Sequence, residues 1–141
     1  MEIYCDGACR GNPGPGGWAV YIPDSSWGRE IKGGTKTTTN NRMEVTAILK
    51  ALEFVHFVPE TKFTIFSDSQ WAINAVTWKW LVEKNMDLVT PARDRLRELK
   101  TRGKEVELVW IKGHAEHPEQ EMVNDLAQAE AAKQGEEHGS Y

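Results

Sequence analysis

Apolar positions recur along the chain with two different periods, and the switches between them mark its elements. Glu2 to Cys9 alternates around apolar residues and predicts a strand, whereas Arg10-Gly11-Asn12-Pro13-Gly14-Pro15-Gly16-Gly17 is turn chemistry. Trp18 to Ile22 is a short apolar strand, Pro23-Asp24-Ser25-Ser26 a hairpin turn, and Arg29 to Thr35 a third strand. The period then lengthens to 3.6 residues. Met43, Ala47, Ala51 and Val55, with Ile48 and Leu52 beside them, predict a helix capped by Asn40 or Asn41 and ended by Pro59. Lys62 to Phe66 is a fourth strand, and an aromatic-rich helix is expected over Ser69 to Lys84. Pro91 is expected to open a helix through Arg102, followed by the strand Val106–Ile111 and a last helix from Glu119 to Lys133. The order β-β-β-α-β-α-α-β-α predicts one α/β domain, with a mixed five-stranded sheet built from an antiparallel meander and parallel strands, flanked by helices. That domain is expected over 1–134, and 135–141 as a flexible tail.

Composition narrows the picture only modestly. A chain of 141 residues suits one domain, and no apolar run approaches the roughly 18 residues a membrane span needs. There is no basic-then-apolar start of a secretory signal, which leaves a bacterial or eukaryotic cytosol or a nucleus open, and a cytoplasmic protein is expected. The net charge of −4 argues mildly against a nucleic-acid binder, although a local cationic strip can coexist with an acidic cluster. Cys5 and Cys9 lie about 13 Å apart if both belong to one strand, too far for a disulfide. They are read as reduced core residues, with zinc held by them, His114 and His117 a weak alternative. Gly33-Gly34-Thr35-Lys36 lacks the order of a phosphate loop.

Three carboxylates stand in positions where acids are unusual. Asp6 lies inside a strand, where burial is costly without a partner or a cation; an Asp bonding turn amides is the alternative. Glu44 is placed in the first turn of a helix, on the line of Ile48, Ala51 and Val55, which puts it on the buried face. An acid serving the helix dipole from the solvent side is its alternative. Asp68 stands at the carboxyl end of a strand, where α/β sheets gather ligands, or else is a helix N-cap. If the first and fourth strands are neighbours, the three acids converge and repel unless hard divalent cations neutralise them. Magnesium or manganese, two ions about 4 Å apart, would suit displacement at phosphorus.

Four motifs in order carry a resemblance. Asp6-Gly7-Ala8-Cys9-Arg10-Gly11-Asn12-Pro13-Gly14, Thr38-Thr39-Asn40-Asn41-Arg42-Met43-Glu44, Ser67-Asp68-Ser69-Gln70 and Lys112-Gly113-His114-Ala115-Glu116-His117-Pro118 resemble type 1 ribonuclease H over nearly the whole chain. The resemblance implies the ribonuclease H-like fold and an endonuclease that cuts the RNA strand of RNA–DNA hybrids by two-metal-ion catalysis. It implies a monomer, with two Mg2+ ions (Mn2+ as substitute) held by Asp6, Glu44 and Asp68, Asp6 bridging them. His114 is implied to assist proton movement or product release. Asn12, Asn40, Asn41 and Gln70 match minor-groove readers, a task amides suit because they both donate and accept. Thr39 matches a phosphate contact and Asn85 another, while Trp78 and Trp80 are out of register with the family's DNA-channel tryptophan.

The chain departs from the family pattern in two places. Leu81-Val82-Glu83-Lys84 stands where many members carry an additional basic helix and loop, and no separate hybrid-binding domain is expected before Met1. The family's fourth carboxylate, an Asp two residues before Leu-Ala, falls on Asn124, with Asp125 beside it. Small residues follow both, so periodicity does not choose; motif register chooses Asn124. An Asp→Asn variant impaired in cleavage is therefore expected. The alternatives are a non-catalytic hybrid-binding module and a related nuclease on the same fold.

Overall fold

The computed structural model describes residues 1–24, 29–112 and 117–139, the last three as helix backbone only. Its strands are β1 (Glu2–Cys9), β2 (Gly14–Ile22), β3 (Arg29–Thr38), β4 (Lys62–Ser67) and β5 (Glu105–Trp110). Its helices are α1 (Asn40–His56), α2 (Gln70–Val76), α3 (Met86–Thr101) and α4 (Pro118–Gly139). The strands form one sheet in the order β3-β2-β1-β4-β5, with β1, β2 and β3 antiparallel and β4 and β5 parallel to β1. The predicted mixed α/β sheet is therefore the one observed.

Both faces of the sheet are covered, which explains why β1 is buried at every position from Ile3 to Ala8. Ile3 and Cys5 join the large core under α1, α2 and α3. Tyr4 and Ala8 point the other way, with Ala19, against Val123 and Ala127 of α4. The strand alternation thus assigns Asp6, between Tyr4 and Ala8, to the α4 side and Gly7 to the α1 side. The β1–β4 ladder ends at Tyr4–Phe66, and the same register carried two residues further sets Asp6 level with Asp68.

Several element boundaries differ from the sequence expectation. The glycine stretch is not all turn: after a cis Asn12–Pro13 bond, Gly14–Gly17 already belongs to β2. Here small residues are needed because a Cβ on Gly17 would lie 2.4 Å from the Ala127 carbonyl oxygen of α4. Thr39, not Asn40 or Asn41, caps α1, its hydroxyl accepting from Arg42 N at 3.3 Å. Glu44 consequently lies in the second turn.

α2 stops at Val76, well short of Lys84, and Trp78 adopts a left-handed backbone with φ 65° that turns the chain away. α3 begins at Met86 and carries Pro91 inside it. The apolar stripe Val89, Ala92, Leu96 and Leu99 starts before the proline, and its burial outweighs one missing backbone bond. Asn85 initiates this helix at φ 62°, a conformation Asn tolerates, and its carbonyl accepts from Leu88 N and Val89 N. α4 runs to Gly139, through the stretch read as a tail from 135, so Gly135 does not end it.

Candidate active site

Asp6, Glu44 and Asp68 come together at the carboxyl ends of β1 and β4, with ligand oxygens all within 4.8 Å of one another. Local sequence explains each placement. Asp6 is lifted into the sheet by a strand that starts at Glu2. Asp68 leaves β4 just before Ser69, and Ser69 is the N-cap of α2, accepting from Ala72 N at 3.1 Å. The capping alternative for Asp68 is thereby excluded. Glu44 is only 5 % exposed, so it is no solvent-side acid serving a helix dipole.

Gly7 makes the meeting of Glu44 and Asp6 geometrically possible. A Cβ there would sit 2.3 Å from the Met43 carbonyl carbon and 2.5 Å from Glu44 N. Without a side chain, β1 and α1 touch, and Glu44 accepts from the Gly7 amide. The same amide donates to Asp6 Oδ1 at 2.9 Å, so one N–H is shared by two carboxylates.

From the opposite face, Asn124 of α4 donates its Nδ2 to Asp6 Oδ2 at 2.7 Å. Asp125 next to it is exposed. Gln120, one turn earlier and 1 % exposed, donates Nε2 to the Cys5 carbonyl at 3.1 Å, fixing α4 one residue before Asp6. Its Oε1 is buried without a partner.

The electrostatics are those of buried, closely spaced acids. Burial pushes Asp6 from 3.8 to about 6; the charge of Asp68 adds to this, while hydrogen bonds with Glu44 and Asn124 oppose it. Burial also raises Glu44 well above the usual carboxylate range, with Asp6 and Asp68 reinforcing it. None of the three enters an ion pair among the described residues. All donors are hard oxygens, which fits a divalent cation of the magnesium kind. No other group of three or more His, Cys, Asp or Glu residues suited to a metal occurs among the described residues. Cys5 is buried and Cys9 half-buried, both free, and the zinc alternative rested partly on His114, which lies outside the described residues.

An open cleft of about 430 Å³ covers the acids and is walled by Asn40, Ser69, Gln70, Trp71, Asn124 and Gln128 among others. Asn40 and Gln70 thus adjoin the acids. Asn12, Thr39, Asn41 and Asn85 are not in its wall. Asn12 Oδ1 accepts from Asn40 N at 3.0 Å, tying the glycine turn to the start of α1. Asn85 accepts from Arg42 Nη1 at 3.3 Å, and Arg42 grips Asp87 with two bonds of 2.9 and 2.6 Å. Asn41 is exposed. Gly7, Arg42 and Gln120 are the residues that sequence reasoning missed as site builders. Gly7 had a signal, standing directly after the strand Asp, and Gln120 had none.

The family model described as RNase H matches residues 1–132. The chain belongs to the ribonuclease H family of enzymes. The Ribonuclease H of Nitratidesulfovibrio vulgaris (strain DP4) is 40% identical over 96% of this chain and 91% of its own length. That of Caulobacter sp. (strain K31) is 41% identical over 99% and 95%. Among solved structures, RNase H1 from the halophilic archaeon Halobacterium salinarum NRC-1 has TM-score 0.69 and 27% identity, covering 94% of this chain and 97% of its own. LC11-RNase H1, solved in complex with an RNA/DNA hybrid, shares the fold at TM-score 0.75 and 22% identity over 94% and 96%. No helix among the described residues is long and apolar enough to cross a membrane.

Proposed function

We propose that this ribonuclease H-family chain is an endonuclease that hydrolyses the RNA strand of RNA–DNA hybrids with two divalent metal ions. The observation that carries the reading is the cluster of Asp6, Glu44 and Asp68 within 4.8 Å, with Asp6 and Glu44 raised in proton affinity and no ion-paired cationic side chain among the described residues. Three such acids have little use in a fold except to hold cations. Magnesium, or manganese in its place, would supply charge stabilisation and a more acidic attacking water. Asp6 is the central ligand, facing Glu44 through Gly7 on one side and Asn124 on the other. Asn124 contributes an amide where the family pattern has a carboxylate; it keeps the shape and removes one negative charge, so cleavage by this chain is slow or absent. His114 moves a proton or helps product leave. Asn12, Asn40, Asn41 and Gln70 read the minor groove, and Thr39 and Asn85 hold backbone phosphates. The chain acts as a monomer in the cytoplasm, a compartment that suits its two free thiols.

Asn124 is also what favours the second reading, a hybrid-binding module without catalysis. The two are separated by incubating a strand-labelled hybrid, single-stranded RNA, duplex RNA and duplex DNA with magnesium. Slow cutting of the hybrid's RNA alone, abolished by excess chelator, supports the enzyme. Tight hybrid binding with no cutting at any enzyme concentration supports the module.

A further inference from the structure

The net charge of −4 conceals a cationic strip on α3. Arg93, Arg97 and Lys100 fall within about 60° of arc on that helix, whereas Asp94 and Glu98 lie about 100–140° from Arg93. Glu98 is engaged on its own side, with Arg95 at 3.4 Å and Arg102 at 3.2 Å. No ion pair among the described residues involves Arg93, Arg97 or Lys100. The acids that interrupt this basic segment in sequence therefore leave one face of it uncompensated.

An aromatic ring completes the strip. Trp78, in its left-handed turn after α2, is 59% exposed. The guanidinium of Arg93 stacks on it 3.7 Å from the ring centroid, and that of Arg97 lies 5.9 Å away. Arg93 is itself 6% exposed and donates Nε to the Ala75 carbonyl at 2.8 Å, so it fixes both the helix end and the ring. Thr77, Trp78, Arg93, Leu96, Arg97 and Lys100 enclose a cavity of about 160 Å³ open to solvent. A buried stacked arginine, an exposed ring and two cations outside any ion pair among the described residues, around one hollow, form a surface for a polyanionic backbone.

We infer that this strip is a second nucleic-acid contact, taking the phosphodiester backbone of the bound duplex beyond the acid cluster. The inference rests on the hybrid being the substrate. Gln70, in the wall of the acid cleft, and Thr77, in the wall of this cavity, are separated by one short helix, about 10 Å along its axis. At about 3.4 Å per phosphate along a strand, the strip meets backbone some three nucleotides or more from the acids. It supplies from α3 the cationic area that the direct Leu81–Lys84 connection leaves out.

The test is the salt dependence of binding to an 18-base-pair hybrid, followed by fluorescence anisotropy with calcium, a hard cation, in place of magnesium, and a gel check that the hybrid stays intact. The chain is compared with Arg97→Gln/Lys100→Gln and with Arg95→Gln/Arg102→Gln, which removes the same charge from the opposite side. Arg93 is left alone because it is structural. Loss of two phosphate contacts makes the slope of log K against log salt shallower by about 1.8 in the first pair and leaves it unchanged in the second. An unchanged slope in Arg97→Gln/Lys100→Gln, or an equal loss in both pairs, overturns the inference. Failure of the parent chain to bind the hybrid at all overturns the proposed substrate as well.

Discussion

Replacing Asp6 by Asn should abolish cleavage and yet make the metal-free protein more stable. A carboxyl that titrates near 6 in the folded chain, against 3.8 unperturbed, binds its proton more tightly when folded. Between those values the native state holds more protons than the unfolded state, so stability falls as pH rises through that window. At about 1.4 kcal/mol for each pH unit between the two values, the charged form costs the fold about 3 kcal/mol above pH 7. That figure is a ceiling, since Asp6 and Glu44 share their protons. Asn keeps the shape without the charge. Urea unfolding in excess chelator should find Asp6→Asn more stable than the parent at pH 8 by up to about 3 kcal/mol, or about 6–12 °C in Tm. The difference should vanish at pH 4, where the parent carboxyl is protonated. Magnesium at about one thousand times its Kd should reverse the ranking at pH 8, because it stabilises the parent by about 4.1 kcal/mol. A variant no more stable than the parent at pH 8 in chelator would refute the reasoning.

The remaining predictions concern the scaffold and the amides. Gly7→Ala forces β1 and α1 apart; it should cost about 1–3 kcal/mol in urea unfolding and weaken magnesium binding by calorimetry more than Gly135→Ala does, where a Cβ meets only Pro15 Cγ at 3.5 Å. Gln120→Met removes the bond to the Cys5 carbonyl and should cost about 1–3 kcal/mol, measured by the same unfolding curve. Asn41→Ala and Gln70→Ala should each weaken hybrid binding by about 1–3 kcal/mol at matched salt, and equal binding would remove them from the interface.

The element order, the mixed sheet and the acid candidates were legible because they are written in side-chain type, whereas the neighbouring of the first and fourth strands entered only as a condition. A strand that opens at Glu2 and places an Asp between Tyr4 and Ala8 has to dispose of a charge. The helix line from Glu44 through Ile48, Ala51 and Val55 puts a second charge against it. Helix ends were read less well, since tertiary contacts set them. Trp78 breaks α2 because Arg93, from another helix, holds its ring, and α3 tolerates Pro91 because Val89 is already buried. Gly14–Gly17 resembles a turn in sequence, but glycine there answers to the approach of α4 to the sheet. Between Asn124 and Asp125 small residues on both sides hid the direction in which the helix faces the sheet, so only motif register chose Asn124, the residue that reaches Asp6.

The most direct measurement is RNA-strand cleavage of a labelled hybrid by the given chain and by Asn124→Asp, side by side in magnesium. The amide reaches Asp6 at 2.7 Å, so a carboxylate at the same place adds a charge to the cluster without moving the helix. Asn124→Asp should cut the RNA strand many-fold faster than the given chain, cut duplex DNA not at all, and stop in chelator. Equal rates for the two chains, or cleavage by Asn124→Asp that persists in chelator, would contradict the assignment of Asp6, Glu44, Asp68 and position 124 as one metal-holding site.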